Sequence, residues 1–281
     1  MAALTRLVHA WDGLKLHVQE WGGQHRNAAV PLLCLPGLVR TADDFAAVAE
    51  RHAGRRRIVS LDYPGRGRSG RARAIARYRP EACLRDVIDV CAALHLHRVI
   101  AVGTSFGGLL TMGLAATRPA MLAGAVLNDI GPELGAAGGA FLRRFIAADP
   151  ALPDRNAAAA HLRQLLPHLS LRTDAQWLRF AELTYTPGTD GRWHPRWDTR
   201  IATLLKPPIR DLWPLFGALP RIPLLLVRGT LSNILLEGTV AQMQARRPDM
   251  LVAEIEGVGH APTLAEPQAE HAIDALLEEA A

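Results

Sequence analysis

Gly103-Thr104-Ser105-Phe106-Gly107 stands between a short apolar, β-branched run, Arg98-Val-Ile-Ala-Val102, and a segment of small and apolar residues from Gly108 to Ala116. The first run is of buried-strand type and the second suits a packed helix. Gly-x-Ser-x-Gly at a strand-to-helix junction is a sharp turn that lifts a serine hydroxyl clear of the backbone. Its glycines are needed because chain segments approach too closely there for a Cβ. An ordinary Gly-rich turn can carry the same five residues, but the flanking strand and helix make Ser105 a candidate nucleophile.

Outward from this turn, strand and helix signals alternate. Arg6–Trp11 and Leu14–Trp21 read as strands joined by Asp12-Gly13, a hairpin signal. Val30–Leu35 is an apolar strand leading into Pro36-Gly37. Thr41, with Asp44 three residues on, resembles a capping box opening a helix through Phe45 and Val48. Arg57–Leu61 is a further buried strand, and Pro80–His95 places Leu84, Val87, Ile88, Cys91 and Leu94 at helical spacing. Strands follow at Leu122–Leu127, Ile222–Gly229 and Leu251–Ile255, with helices at Thr239–Ala245 and Pro267–Glu279.

This alternation predicts an α/β fold, a doubly wound, mostly parallel sheet with helices on both faces. Between Gly131 and Trp213 the character changes to amphipathic helices, such as Ala140–Ala148 and Asn156–Leu166, broken by prolines that include Pro150, Pro167, Pro207 and Pro208. Residues 132–213 therefore read as a helical cap inserted into a core made of 1–131 and 214–281. Such an insertion sits over the carboxyl ends of the strands, where these sheets bind ligands.

Composition narrows the function classes. The 281 residues are 49% hydrophobic and 21% charged, as in an ordinary globular protein. The net charge of +5 comes from arginines without a basic stripe interleaved with aromatics, so nucleic acid is not an expected partner. No apolar run reaches membrane-spanning length and Met1–Arg6 carries no apolar leader, so no membrane partner is expected either. Cys34, Cys83 and Cys91 form no C-x-x-C pair and read as buried side chains, a usage that suits a reducing cytoplasm. No His/Cys/Asp/Glu cluster has metal spacing, and no cofactor is expected.

A serine hydroxyl needs a base to take its proton, and a third group to orient that base. Among eleven histidines, His260 is the candidate base: Gly257-Val-Gly-His-Ala-Pro262 is a Gly-rich loop after the Leu251–Ile255 strand and before the last helix. With Leu35-Pro-Gly-Leu38, Asp62-x-x-Gly65-x-Gly67-x-Ser69 and Pro223-Leu-Leu-Leu-Val-Arg-Gly229, these segments make the chain resemble the α/β-hydrolase fold superfamily outside the cap-like insertion. The resemblance implies an oxyanion hole built from the backbone N–H groups of Leu38 and Phe106. Family members often carry histidine where Pro36 stands, but a backbone donor survives that difference.

The acid departs from the family pattern. Relatives usually place an aspartate in a Ser-Asp pair after the Pro223–Gly229 strand; here the pair is Ser232-Asn233. An amide can accept a histidine N–H but brings no negative charge to an imidazolium, and an Asp-to-Asn change lowers turnover about 10⁴-fold in serine proteases. Three readings follow. Asp129, at the end of the preceding core strand, supplies the acid, a position some relatives use; or Asn233 replaces it with reduced activity; or Glu237 reaches back. Asp129 is the preferred acid, against the alternative that it only caps its turn, and Asn233 is the position-equivalent of the usual one.

In the insertion, Trp177, Tyr185 and Trp213 are candidate substrate contacts, with Phe141, Phe145 and Phe180, unless these aromatics form the insertion's own core. Asp62 is expected to fix its loop by accepting backbone N–H groups. The expected activity is serine hydrolysis of an ester, thioester or lactone of a small apolar molecule. Two alternatives stand beside it: carbon–carbon cleavage or cofactor-free oxygenation on the same fold, and a silent ligand-binding protein.

Overall fold

In the computed structural model, residues 3–25, 29–205 and 211–280 are described; Pro207 and Pro208 lie outside them. The strands, in chain order, are β1 (Leu4–His9), β2 (Lys15–Trp21), β3 (Leu32–Leu35), β4 (Ile58–Leu61), β5 (Val99–Thr104), β6 (Leu122–Asn128), β7 (Tyr185–Pro187), β8 (Trp193–Pro195), β9 (Leu224–Gly229) and β10 (Leu251–Ile255). Eight of them form one sheet in the order β1-β2-β4-β3-β5-β6-β9-β10, and β7 pairs with β8 apart from it. β2 runs antiparallel to both β1 and β4, whereas every pair from β4 to β10 is parallel.

Alternation along the strands explains why both faces are covered. Successive side chains point to opposite faces. Leu33, Leu35, Val99 and Ala101 thus join one apolar cluster, while Leu32, Cys34, Ile100 and Val102 join another. Helices α2 (Pro80–Ala93) and α3 (Phe106–Thr117) supply Val87, Val90, Leu110 and Leu114 to the first cluster. The second takes Val48 and Ala49 from α1 (Ala46–His52). Each fully buried aliphatic side chain contributes about 1.5–3 kcal/mol relative to exposure.

Between β6 and β9 lie α4 (Ala136–Ala147), α5 (Arg155–Leu165), α6 (Asp174–Thr184), the β7–β8 pair and α7 (Trp213–Gly217). α4 to α6 and their neighbours share a third apolar cluster, including Ile146, Leu162, Trp177, Tyr185 and Trp197. The chain closes with α8 (Glu237–Arg246) and α9 (Pro267–Glu279), the latter adding Ile273 and Leu276 beside α1.

One local expectation fails. Thr41 makes no side-chain cap bond, and a 3₁₀ turn, Ala42–Phe45, precedes α1. The Asp44 N–H that a capping box would engage donates to the Thr41 carbonyl at 3.1 Å, while Asp62 Oδ1 takes the Ala42 N–H at 2.7 Å and Asp62 Oδ2 the Arg68 N–H at 2.8 Å. Asp62, at the end of the neighbouring strand β4, thereby fixes two loops.

Candidate active site

Ser105 sits between β5 and α3 with φ 51° and ψ −114°, a left-handed backbone position. Neighbouring glycines make that turn possible: a Cβ on Gly107 would stand 1.8 Å from Leu35 O, and one on Gly103 would stand 2.5 Å from Gly107 O. The Ser105 N–H donates to Asn128 O at 2.9 Å, which ties the turn to the end of β6.

Asp129 follows β6 directly, also with positive φ (53°), and its side chain is fully buried. Its Oδ2 lies 2.7 Å from His260 Nδ1, and His260 Nε2 lies 2.9 Å from Ser105 Oγ. With the imidazole proton on Nδ1, donated to the carboxylate, Nε2 is left to accept from the serine hydroxyl. Asp129 is held by two further donors, Gly229 N–H to Oδ1 at 3.1 Å and Ser232 Oγ–H to Oδ2 at 2.6 Å. Ser232 Oγ in turn accepts the N–H groups of Ile234 and Leu235 at 3.2 and 3.1 Å. Hydrogen bonds to a charged group contribute about 1.5–3 kcal/mol each, so the buried carboxylate is well compensated.

The His260 loop is braced from two sides. Asn128 Nδ2 donates to Pro262 O at 2.8 Å, and the Gly259 N–H donates to His168 O at 2.8 Å. Phe106 opens α3, where the first N–H groups have no intrahelical acceptor. Leu38 occupies the turn Gly37–Arg40, closed by the Arg40 N–H to Gly37 O at 3.1 Å.

A cavity of about 1040 Å³ opens over these groups, lined by Ser105, His260, Leu38 and, from the segment between β6 and β9, Phe141, Phe145 and Phe180. Asn233 also lines it but makes no hydrogen bond to His260 among the described residues, and Glu237 is exposed at the start of α8. The structure thus brings Ser105, His260 and Asp129 together and leaves Asn233 and Glu237 apart.

Trp177, Tyr185 and Trp213 are corrected: none lines the cavity. Trp177 and Tyr185 are buried in the third apolar cluster, Tyr185 beside Trp197 at 6.0 Å between ring centroids. Trp213 donates through Nε1 to Glu133 at 2.6 Å and carries the Arg246 guanidinium 3.5 Å above its ring. Trp177 and Tyr185 thus fill the interior of the segment between β6 and β9, Trp213 packs against the first apolar cluster, and the phenylalanines line the cavity. Ser232 and Asn128 carry no sequence signal as supports, because their partners lie 103 and 134 residues away. Among the described residues no group of side chains could hold a metal ion.

Comparison with known proteins bears on the same region. The sequence pattern of the alpha/beta hydrolase family matches residues 32–274. A 3-hydroxybutyrate-oligomer hydrolase of Cupriavidus necator is 33% identical over 264 residues, covering 90% of this chain and 89% of that protein. An alpha/beta hydrolase structure from Novosphingobium aromaticivorans superposes with a TM-score of 0.93 at 39% identity, covering 99% of each chain. An esterase from Rhodococcus sp. superposes with a TM-score of 0.73 over 99% of each chain, and at 20% identity it shows the shared fold alone.

Proposed function

The chain belongs to the α/β-hydrolase family, and on that premise we propose that it is a serine hydrolase of carboxylic esters working through an acyl-enzyme. The observation that carries this reading is the continuous hydrogen-bond chain Asp129–His260–Ser105 at 2.7 and 2.9 Å. Ser105 Oγ attacks the ester carbonyl as its proton passes to His260 Nε2, and the Asp129 carboxylate stabilises the imidazolium. The N–H groups of Leu38 and Phe106 receive the tetrahedral oxyanion, where charge develops only on the way to the transition state. His260 then protonates the leaving alkoxide, giving the acylated Ser105. A water deprotonated by His260 attacks that acyl group, releases the carboxylic acid and restores the serine.

Residues 132–213 act in this reading as the cap that covers the acyl site. The likeness to an oligomer hydrolase directs the substrate test toward short hydroxy-acid oligoesters, and the cavity offers room well beyond an acetyl group. Turnover of p-nitrophenyl butyrate and of a 3-hydroxybutyrate dimer is expected from the native protein and is lost in Ser105→Ala. Equal rates in the two proteins would sink the reading.

A further inference from the structure

Arg66 is 1% exposed, and no carboxylate among the described residues lies within ion-pair distance of it. Its Nε donates to Leu38 O at 2.8 Å and its Nη1 to Pro64 O at 2.7 Å, while Nη2 has no protein partner among those residues. The guanidinium is packed among rings, 5.8 Å from the centroids of Tyr63 and Phe106 and 5.6 Å from that of Tyr78. Tyr63 completes the cluster, its edge meeting Phe106 at 5.4 Å and its hydroxyl donating to Pro36 O at 3.2 Å.

Both residues whose N–H groups would hold the oxyanion are therefore gripped from beneath by one loop. Leu38 O belongs to the central peptide of the Gly37–Arg40 turn, the unit that rotates when a β-turn changes type. Fixing that oxygen holds the turn in one type and pins residue 38, whose N–H lies on the preceding Gly37–Leu38 peptide, in place. The loop is itself anchored to the inserted segment, by the Gly67 N–H to Arg196 O at 2.7 Å and the Asp198 N–H to Gly65 O at 2.8 Å. We infer that Arg66 is a positioning residue that sets the oxyanion-binding turn, through the Leu38 carbonyl and the Phe106 ring, and lends it an uncompensated positive charge. This rests on the ester-hydrolase reading.

Arg66→Met keeps an apolar side chain of similar reach and removes the hydrogen bonds and the charge. It is expected to lower kcat by about 10², the cost of misplacing reacting groups by roughly 1 Å, with KM little changed. Affinity for an alkylboronic acid, which imitates the tetrahedral state on Ser105, falls in parallel, and affinity for the product butyrate stays. Arg66→Lys keeps charge and one donor, and recovers part of both losses. The inference is overturned if Arg66→Met retains native kcat and boronate affinity. A proportional loss of butyrate binding, or absence of a thermal unfolding transition in both variants, overturns it as well by assigning Arg66 to folding alone. A native protein lacking Ser105-dependent turnover signals failure of the hydrolase reading instead, before any Arg66 variant is compared.

Discussion

Asp129, which we propose as the triad acid in preference to residue 233, has surroundings that suit the role. It is fully buried, has two donors besides His260, and among the described residues meets no competing cation in its hydrogen-bond shell. Asp129→Asn should lower kcat for p-nitrophenyl butyrate by about 10³–10⁴, because the amide neither selects the right tautomer nor balances the imidazolium. Asn233→Asp should leave kcat near its native value, since residue 233 makes no hydrogen bond to the imidazole among the described residues. A strong gain in Asn233→Asp together with an indifferent Asp129→Asn would return the acid to the β9–α8 loop. Ser105 and His260 are legible from a few adjacent residues each, because a glycine turn leaves a local imprint. The choice between Asp129 and Asn233 is not, for it depends on which side chain reaches a ring 131 residues later in the chain. A large aromatic likewise does not announce what it packs against, so the sequence leaves Trp177, Tyr185 and Trp213 open between a substrate contact and the segment's own core, and in the structure none of them lines the cavity.

Among the elements, the parallel strands are legible because they are short, largely apolar runs flanked by turn residues, whereas the three-residue strands β7 and β8 leave no such run; β10 and α9 fall at the expected bounds, Leu251–Ile255 and Pro267–Glu279. Thr41 shows the limit of local reading: its capping pattern is present, yet the Asp44 N–H goes to the Thr41 carbonyl and the hydroxyl makes no cap bond. At α6, Thr173 and Gln176 do form a reciprocal capping box, each side chain accepting from the other's backbone N–H. Within the inserted segment, the β7–β8 pair is clipped by His194, whose Nδ1 lies 2.9 Å from Asp149 and Nε2 3.0 Å from Asp190. Hydrogen bonds to those two carboxylates raise the His194 pKa above its ordinary value. A raised pKa means that the clip is complete below the unfolded value of about 6.5 and is lost as pH climbs through the folded value. An NMR titration of the His194 ring should therefore show a midpoint above about 6.5, returning toward it in Asp149→Asn/Asp190→Asn. A native midpoint at or below the double variant's would contradict the clip.

For the whole molecule, burial settles the chemistry of the cysteines. Cys34, Cys83 and Cys91 are all buried, and desolvation pushes the Cys83 thiol up to about 11, Cys91 up to about 12 and Cys34 higher still. Since the thiolate is the reactive form, the folded protein should resist iodoacetamide at about pH 8, whereas all three cysteines react in denaturant. Rapid labelling of any of them without unfolding would show that the two-faced core opens far more readily than its packing suggests. The sheet also has a bearing on how this protein can change. Two members of the relay leave adjacent strands at one level, Ser105 after Thr104 and Asp129 after Asn128, and Thr104 and Asn128 are register partners. In the proposed arrangement β6 carries the acid, and the loop after β9 supports it through the Ser232 hydroxyl and buries Ile234 and Leu235 in the core, while Leu231 and Asn233 line the cavity. Those two positions are thereby released to diversify: a lineage, or an engineer, can reshape the chamber there without rewiring proton transfer.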